Sequence, residues 1–257
     1  MPVIYFASDL HLGVDARLPS AQRERLFVRW LDEVVKPDAD ALFLMGDVFE
    51  FWFEYKSVVP RGFVRLLGKL AELRDGGLEI HYFTGNHDLW MGDYFEQELG
   101  IPLHHKPQRY NWDNRQFLIG HGDGLGPGDK GYKRMKRVFR NPVAQWTYAR
   151  LHPNFAIGLA RRVAQFSRTH TGTSEDRFFG RQQEWLVQYC ERKVEQDPSL
   201  DYFIFGHRHL PIDLTLSNNR SRYINLGDWL KYQTYARWDG HELSLAAFDR
   251  DLQVFPK

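Results

Sequence analysis

The sequence predicts an α/β fold for this chain of 257 residues. Short apolar runs that end at Gly, Asp or Ser are typical of buried strands. Stretches with apolar residues at helical spacing lie between the early runs. Short polar islands follow most of the runs, and open α/β sheets place their sites at the carboxyl ends of strands. The pattern therefore predicts a sheet whose strands deliver polar side chains to one edge.

Five apolar runs predict the buried strands. They are Val3–Ala7, Ala41–Met45, Ile80–Thr84, Phe117–Ile119 and Tyr202–Phe205. A helix is predicted between the first two runs over Ser20–Val35, with Ser20 as its N-cap. A second helix is predicted over Phe63–Leu73 and is closed by a Gly-Gly pair. The first half of the chain is therefore expected to run β-α-β-α-β with further elements.

The middle of the chain has a different pattern. A glycine-rich loop, Asp123–Gly128, precedes predicted helices over Gly131–Phe139, Val143–Phe166 and Ser174–Glu195. Strand patterns then return and continue to the end of the chain, at Tyr202–Phe205, Asp213–Leu216, Tyr223–Leu226, Thr234–Trp238 and Leu243–Phe248. We therefore expect a core formed by residues 1–124 and 200–257, with residues 125–199 as a helical cap insertion.

The polar islands contain Asp, Asn and His. They are Asp9-Leu10-His11, Gly46-Asp47, Gly85-Asn86-His87-Asp88, Gly120-His121 and Gly206-His207-Arg208-His209. These residue types suit borderline-to-hard divalent ions such as Mn²⁺, Fe²⁺ or Zn²⁺ better than a soft thiolate site does. A lone Asp-x-His or Gly-Asp is a weak signal, but five such islands in order predict a binuclear metal centre.

The islands divide naturally into two ligand sets. Asp9 and His11 can hold one ion, and Asp47 is the best candidate for a carboxylate shared between two ions. Asn86 offers a neutral amide oxygen, and the sets are completed by His121, His207 and His209. Two ions roughly 3.5 to 4 Å apart can lower the pKa of a bridging water and stabilise an in-line displacement at phosphorus. This chemistry favours hydrolysis of a phosphate ester or anhydride.

The other histidines lie outside the five polar islands. We expect structural or surface roles for His81, His104, His105, His152, His170 and His241.

A basic segment runs from Lys130 to Ser174 within the predicted cap. It contains ten Lys or Arg residues and no Asp or Glu, which leaves 24 basic against 33 acidic residues elsewhere in a chain of net charge +1. Aromatic residues are interleaved with the charges. Such a segment can be a solvated face, a nucleic-acid surface, or a surface for an anionic lipid. The apolar content favours a lipid, so no stable nucleic-acid partner is expected.

Taken in their order along the chain, the five islands resemble the five motifs of the calcineurin-like metallophosphoesterases. The resemblance implies a four-layer α/β/β/α sandwich with two metal ions. It implies that one ion is held by Asp9, His11, Asp47 and His209, and the other by Asp47, Asn86, His121 and His207. It further implies that His87 is the catalytic acid or oxyanion partner, oriented by Asp88, beside the catalytic Asn86.

Within that superfamily the chain is similar to the UDP-2,3-diacylglucosamine hydrolases (diphosphatases) of lipid A biosynthesis. The similarity rests on Gly46–Phe53, on His121-Gly-Asp123 followed by Asp129-Lys-Gly-Tyr132, and on Leu226–Trp229. It implies cleavage of UDP-2,3-diacylglucosamine to UMP and 2,3-diacylglucosamine 1-phosphate, with Mn²⁺ as the favoured metal. It also implies substrate contacts from Asn86, His87, Asp129, Tyr132 and His207.

Two alternatives stay open. The first is a phosphoesterase acting on another substrate, such as a nucleotide, phosphoprotein or nucleic acid, since the best-known hydrolases have Arg where this chain has His87. The second is a catalytically silent binding module. The single cysteine, Cys190, and the absence of a signal-peptide pattern favour the cytoplasm. The basic, aromatic cap predicts peripheral association with the inner membrane.

Overall fold

The computed structural model describes residues 1–126, 136–139, 141–160, 162 and 177–256. Its strands are β1 (Ile4–Ala7), β2 (Ala41–Leu44), β3 (Glu79–Phe83), β4 (Leu103–His104), β5 (Gln108–Trp112), β6 (Arg115–Gly120), β7 (Leu200–Phe205), β8 (Pro211–Thr215), β9 (Arg222–Leu226), β10 (Thr234–Trp238) and β11 (Leu243–Ala247). Its named helices are α1 (Ser20–Trp30), α2 (Val64–Asp75), α3 (Tyr94–Leu99), α4 (Pro142–Tyr148) and α5 (Trp185–Gln196).

The strands form two mixed sheets. The first has the order β11-β10-β1-β2-β3-β4, and the second has the order β5-β6-β7-β9-β8. In the first sheet β1, β2, β3 and β4 run parallel, whereas β10 is antiparallel to β1. In the second sheet β7 runs parallel to both β6 and β9. The parallel strands of each sheet therefore bring their carboxyl ends to one edge.

Three apolar clusters separate four layers. Phe6 and Phe43 of the first sheet pack with Phe117 and Ile224 of the second, between the sheets. The opposite face of the first sheet packs with residues of α1, α2 and α3, including Phe27. The opposite face of the second sheet packs with α5 through a third cluster. The predicted α/β/β/α sandwich is confirmed, and α5, which lies within the range predicted as the cap insertion, forms its fourth layer.

All the strands predicted in the core are present, with ends shifted by one or two residues. Two strands were not predicted. Strand β4 has two residues, and β5 alternates exposed and half-buried positions on a sheet edge. Neither segment contains the buried apolar run that identified the other strands.

The observed helices differ from the predicted ones more than the strands do. The α-helix that begins at Ser20 ends at Trp30 and continues as a π-helical turn, Leu31–Val35. Ser20 is not the N-cap, because Pro19 occupies that position and the Ser20 hydroxyl instead accepts a hydrogen bond from the Gly13 backbone N–H at 2.8 Å.

The predicted helix Val143–Phe166 is wrong as a single element. Helix α4 ends at Tyr148 and a second helix covers residues 153–160. The break precedes Pro153, whose ring disfavours helical geometry at the residue before it. The predicted helix Ser174–Glu195 is described only from residue 177, and its helical part starts at Trp185. Within the described ranges, no helix has both the length and the apolar character needed to cross a bilayer.

Candidate metal centre

The predicted ligands follow five strands at the shared edge. Asp9 and His11 follow β1, Asp47 follows β2, and Asn86 follows β3. The ligands of the second sheet follow β6 and β7 and are His121, His207 and His209. Backbone hydrogen bonds tie these loops together, from Asp9 N to Gly46 O at 3.0 Å and from His11 N to Asp47 O at 2.9 Å. The two loops of the first sheet therefore hold each other in place.

Five of the seven predicted ligands have left-handed backbone conformations. Their φ angles are 56° for Asp9, 47° for His11, 51° for Asp47, 65° for His207 and 55° for His209. This region is costly for residues with a Cβ, and non-glycine residues that adopt it cluster at functional sites. The glycine that precedes Asn86 is also constrained, because a Cβ atom on Gly85 would overlap Asp47 Oδ1.

The first ligand group consists of Asp9, His11, Asp47 and His209, with ligand atoms within 4.8 Å of one another. Asp9 Oδ1 lies 3.2 Å from His209 Nε2 and 3.8 Å from His11 Nε2. This oxygen is buried and accepts no hydrogen bond from the described residues. The Nε2 atoms of His11 and His209 lie 3.2 Å apart. A divalent cation fits this group, because it would satisfy the orphaned oxygen and both imidazole lone pairs.

The second group consists of Asp47, His121 and His207. Asp47 Oδ2 lies 3.2 Å from His121 Nε2 and 3.9 Å from His11 Nε2, so its carboxylate reaches both groups. Asn86 Oδ1 lies 3.3 Å from His121 Nε2. The structure thus brings all seven predicted ligands together and places Asp47 where a bridging carboxylate is needed.

Oxygen atoms near the Nδ1 atoms of three ligand histidines set the orientation of the imidazole rings. His11 Nδ1 lies 3.0 Å from Glu50 Oε2, and His121 Nδ1 lies 2.9 Å from the carbonyl oxygen of Met45. His209 Nδ1 lies 3.6 Å from Asp228 Oδ2. A proton held on Nδ1 by such acceptors leaves the Nε2 lone pair for a metal, as is usual for metal-binding histidines.

Sequence reasoning missed Glu50 and Asp228 as functional residues. Both lie in stretches that carried the family resemblance, three residues after Asp47 and two residues after Leu226. Their identity as acids was visible, but their pairing with particular histidines depends on the fold.

The electrostatics suit cation binding. Burial alone would raise the pKa of Asp9, but His209 and His11 hold that pKa well below its ordinary value. His121 and His87 act on Asp47 in the same way and lower its pKa. Burial opposes the protonation of His121, yet the Asp47 carboxylate outweighs it and raises the pKa of His121 to about 10. The two buried carboxylates are therefore ionised and attract positive charge, either the protons on these imidazoles or a metal ion that displaces them.

His87 lies beside both ligand groups. Its backbone N–H donates to Asp47 Oδ1 at 2.8 Å, and its Nδ1 lies 3.1 Å from the carbonyl oxygen of Glu50. Its ring centroid is 4.8 Å from that of His11. The side chain is 18% exposed, so a molecule in the site can reach it.

Asp88, which is expected to orient His87, is a buried acceptor in the loop that leads to it. Its carboxylate accepts hydrogen bonds from Val48 N at 2.9 Å, Gly85 N at 2.6 Å and the Tyr82 hydroxyl at 2.5 Å. Burial and the neighbouring Asp47 raise the pKa of Asp88 to about 6. Through these hydrogen bonds Asp88 fixes the loop between β3 and His87. Its role in orienting the His87 ring stays a prediction.

Phe139 and Tyr148, in the segment predicted as a cap, make aromatic contacts with the segments that follow Asp47 and His87. Trp90 packs edge-on against Phe139 and Tyr148, and Tyr148 also packs against Phe51 and Phe53. Sequence reasoning assigned no role to Trp90. The predicted substrate contacts Asp129 and Tyr132 lie outside the described residues.

Comparisons with known proteins agree with this geometry. The family model of calcineurin-like phosphoesterases matches residues 2–211. A UDP-2,3-diacylglucosamine hydrolase of Porphyromonas gingivalis is 40% identical over 96% of this chain and 97% of its own length. Another, from Pseudomonas fluorescens, is 29% identical over 96% of this chain and 95% of its own length. A solved phosphoesterase from E. coli has a TM-score of 0.48 and 16% identity, covering 95% of this chain and 92% of its own. This chain belongs to the calcineurin-like phosphoesterase family.

Proposed function

We propose that this enzyme hydrolyses the pyrophosphate of UDP-2,3-diacylglucosamine to UMP and 2,3-diacylglucosamine 1-phosphate. The observation that carries the proposal is the whole-length similarity, at 40% identity, to a relative of that name. The site supports the reaction class, because two ligand groups share the Asp47 carboxylate.

We assign two divalent ions to these groups, with Mn²⁺ as the favoured metal. Asp9, His11, Asp47 and His209 would hold one ion, and Asp47, Asn86, His121 and His207 would hold the other. Bound ions supply Lewis acidity toward a phosphoryl oxygen and a lower pKa for water.

The chain's own groups complete the chemistry. His87 donates a hydrogen bond to the phosphoryl group or a proton to the leaving oxygen, since it lies within reach of both ligand groups. Glu50 holds the His11 and His87 rings through its carboxylate and carbonyl oxygens. Asn86, His87 and His207, with Asp129 and Tyr132 of the cap, contact the substrate.

The test is UMP release from UDP-2,3-diacylglucosamine in detergent with added Mn²⁺. We expect release that stops on chelation and is nearly absent in Asp47→Ala, because that change removes a ligand from both groups. Asp75→Ala, at the exposed end of α2, is the matched control and should retain full activity. No UMP release from metal-loaded protein that still cleaves a generic phosphodiester would assign the enzyme another substrate.

We further propose that the cap contacts lipid at the cytoplasmic face of the inner membrane. Its described part exposes apolar side chains, with Val143 70%, Trp146 60% and Phe155 61% exposed. The Arg150 guanidinium lies 4.4 Å from the Trp146 ring centroid, so a cation accompanies this apolar surface. An apolar face with basic residues is typical of proteins that bind anionic membranes peripherally.

Co-sedimentation with phosphatidylglycerol vesicles tests whether the cap binds anionic lipid. We expect Trp146→Ser and Phe155→Ser to weaken vesicle binding, whereas Leu252→Ser, at an exposed position near the other end of the chain, should not. Equal binding by all three variants would refute the cap as the contact surface.

A further inference from the structure

A cavity of about 640 Å³ adjoins the metal centre. Its walls come from the ends of β3 and β4 with the residues that follow them, the loop after β6, and Lys136, Arg137 and Asn141. His121, a predicted ligand, is part of the lining, so the cavity opens directly onto the second ligand group. Its volume lies within the range of cavities that hold small organic ligands.

The lining carries basic side chains among apolar surface. Lys106 and Arg137 contribute positive charges, and Lys136 forms an ion pair with Asp123. On the wall next to β4, Thr84 Oγ1 lies 3.1 Å from His105 Nδ1. Basic side chains attract phosphate, and paired polar groups favour a ribose or base over hydrocarbon.

The apolar surface of the cap is formed by other residues. Val143, Trp146 and Phe155 are exposed but do not line the cavity. The proposed substrate also has two unlike halves, a polar nucleotide and a diacylated sugar, joined at the bond that is cleaved. The basic side chains of the cavity suit the anionic nucleotide half, and the exposed apolar surface of the cap suits the acylated half.

We propose that this cavity binds the uridine monophosphate half of the substrate, with Lys106 and Arg137 as determinants of nucleotide affinity. The inference rests on the proposed function, since that function supplies the UMP half. His121 at the inner end places the nucleotide phosphate beside the metal ligands. The nucleoside then extends toward the β4 edge, past His105 and Lys106.

Binding of UMP to the Mn²⁺-loaded protein, measured by titration calorimetry, tests the inference without turnover. We expect Lys106→Ala and Arg137→Ala each to raise the dissociation constant of UMP by about fivefold, the effect of losing one charged contact. Arg25→Ala is the matched control, because Arg25 is an exposed base on α1 that does not line the cavity. It should change UMP binding by less than about twofold.

A second comparison separates nucleotide recognition from simple anion attraction. UMP should bind more tightly than inorganic phosphate, and the Michaelis constant for UDP-2,3-diacylglucosamine should rise in Lys106→Ala while metal content stays at the wild-type level. UMP affinity that is equal to that of phosphate, or unchanged by both cavity substitutions, would overturn the inference.

The two proposals can fail separately. Cleavage of UDP-2,3-diacylglucosamine with UMP affinity unaffected by the cavity substitutions would retain the function and reject the cavity. Cavity-dependent UMP binding by a protein that does not cleave this lipid would retain the nucleotide site and reject the substrate.

Discussion

Glu50 Oε2 lies 3.0 Å from Nδ1 of His11 in the buried wall of the metal centre. The same residue accepts from His87 through its carbonyl oxygen at 3.1 Å. One acid thus holds a metal ligand and the proposed catalytic histidine in a fixed relative orientation.

Glu50→Ala should therefore weaken Mn²⁺ binding by about tenfold or more, because loss of the acceptor behind a ligand frees the ring and lowers its basicity. Titration calorimetry of the metal-free protein with Mn²⁺ measures this. Glu98→Gln, at an exposed position of α3, is the control. Metal affinity equal to wild type in Glu50→Ala would show that Glu50 does not orient His11.

Arg23 stabilises the loop that carries His11. Its buried guanidinium donates to the carbonyl oxygens of Leu10 and His11 at 2.7 Å, and also to those of Val14 at 2.7 Å and Leu18 at 2.8 Å. Arg23→Met leaves these acceptors without their donor, so we expect a loss of about 3 kcal/mol in the free energy of unfolding. Urea denaturation measures it.

Arg25→Met, two residues further along α1, changes an exposed arginine and should cost less than about 0.5 kcal/mol. Similar losses in the two variants would mean that Arg23 contributes only general helix stability.

Removal of metal should lower thermal stability. Asp9 and Asp47 are buried, and their lowered pKa values keep both carboxylates charged at neutral pH. Binding at one hundred times the dissociation constant contributes about 2.7 kcal/mol, which corresponds to about 5 to 10 °C in the melting temperature. Scanning calorimetry with a chelator and then with excess Mn²⁺ checks this shift, which should be smaller in Asp47→Ala.

Stability should fall in mild acid because of His104. Burial lowers the pKa of His104, as do the charges of His81 and His105, whereas Glu96 opposes them. The unfolded chain has an ordinary histidine pKa of about 6.5, so it binds more protons than the folded chain below that pH. The resulting loss in the free energy of unfolding is absent well above this histidine pKa and grows as the pH falls through it.

Urea midpoints at pH 7.5 and pH 5.5 test this prediction. His104→Asn should lose less stability between the two pH values than the wild type, whereas His241→Asn, at an exposed position, should behave like the wild type. Equal losses in all three proteins would exclude His104 as the source.

The sandwich and the ligand cluster could be predicted because each depends on a local pattern. An apolar run that stops at a polar island marks both a buried strand and a candidate ligand at its end. Parallel pairing then brings Asp9, Asp47 and Asn86 to one edge. Glu50 could not be assigned in this way, because its pairing with His11 depends on the left-handed turns at Asp47 and His11.

Helix ends were less predictable for a similar reason. Ser20 has the residue type of an N-cap, but its hydroxyl is occupied by the Gly13 N–H, a tertiary contact that helix periodicity does not encode. Strand β5 was missed because edge strands need not contain an apolar run.

The left-handed turns at Asp9, His11, Asp47, His207 and His209 have a consequence for metal exchange. The surrounding fold holds these backbones in an unfavourable conformation through hydrogen bonds among the loops. Little conformational entropy then remains to be lost on coordination. We therefore expect the site to accept several divalent ions that suit Asp, Asn and His ligands, with little change in the backbone.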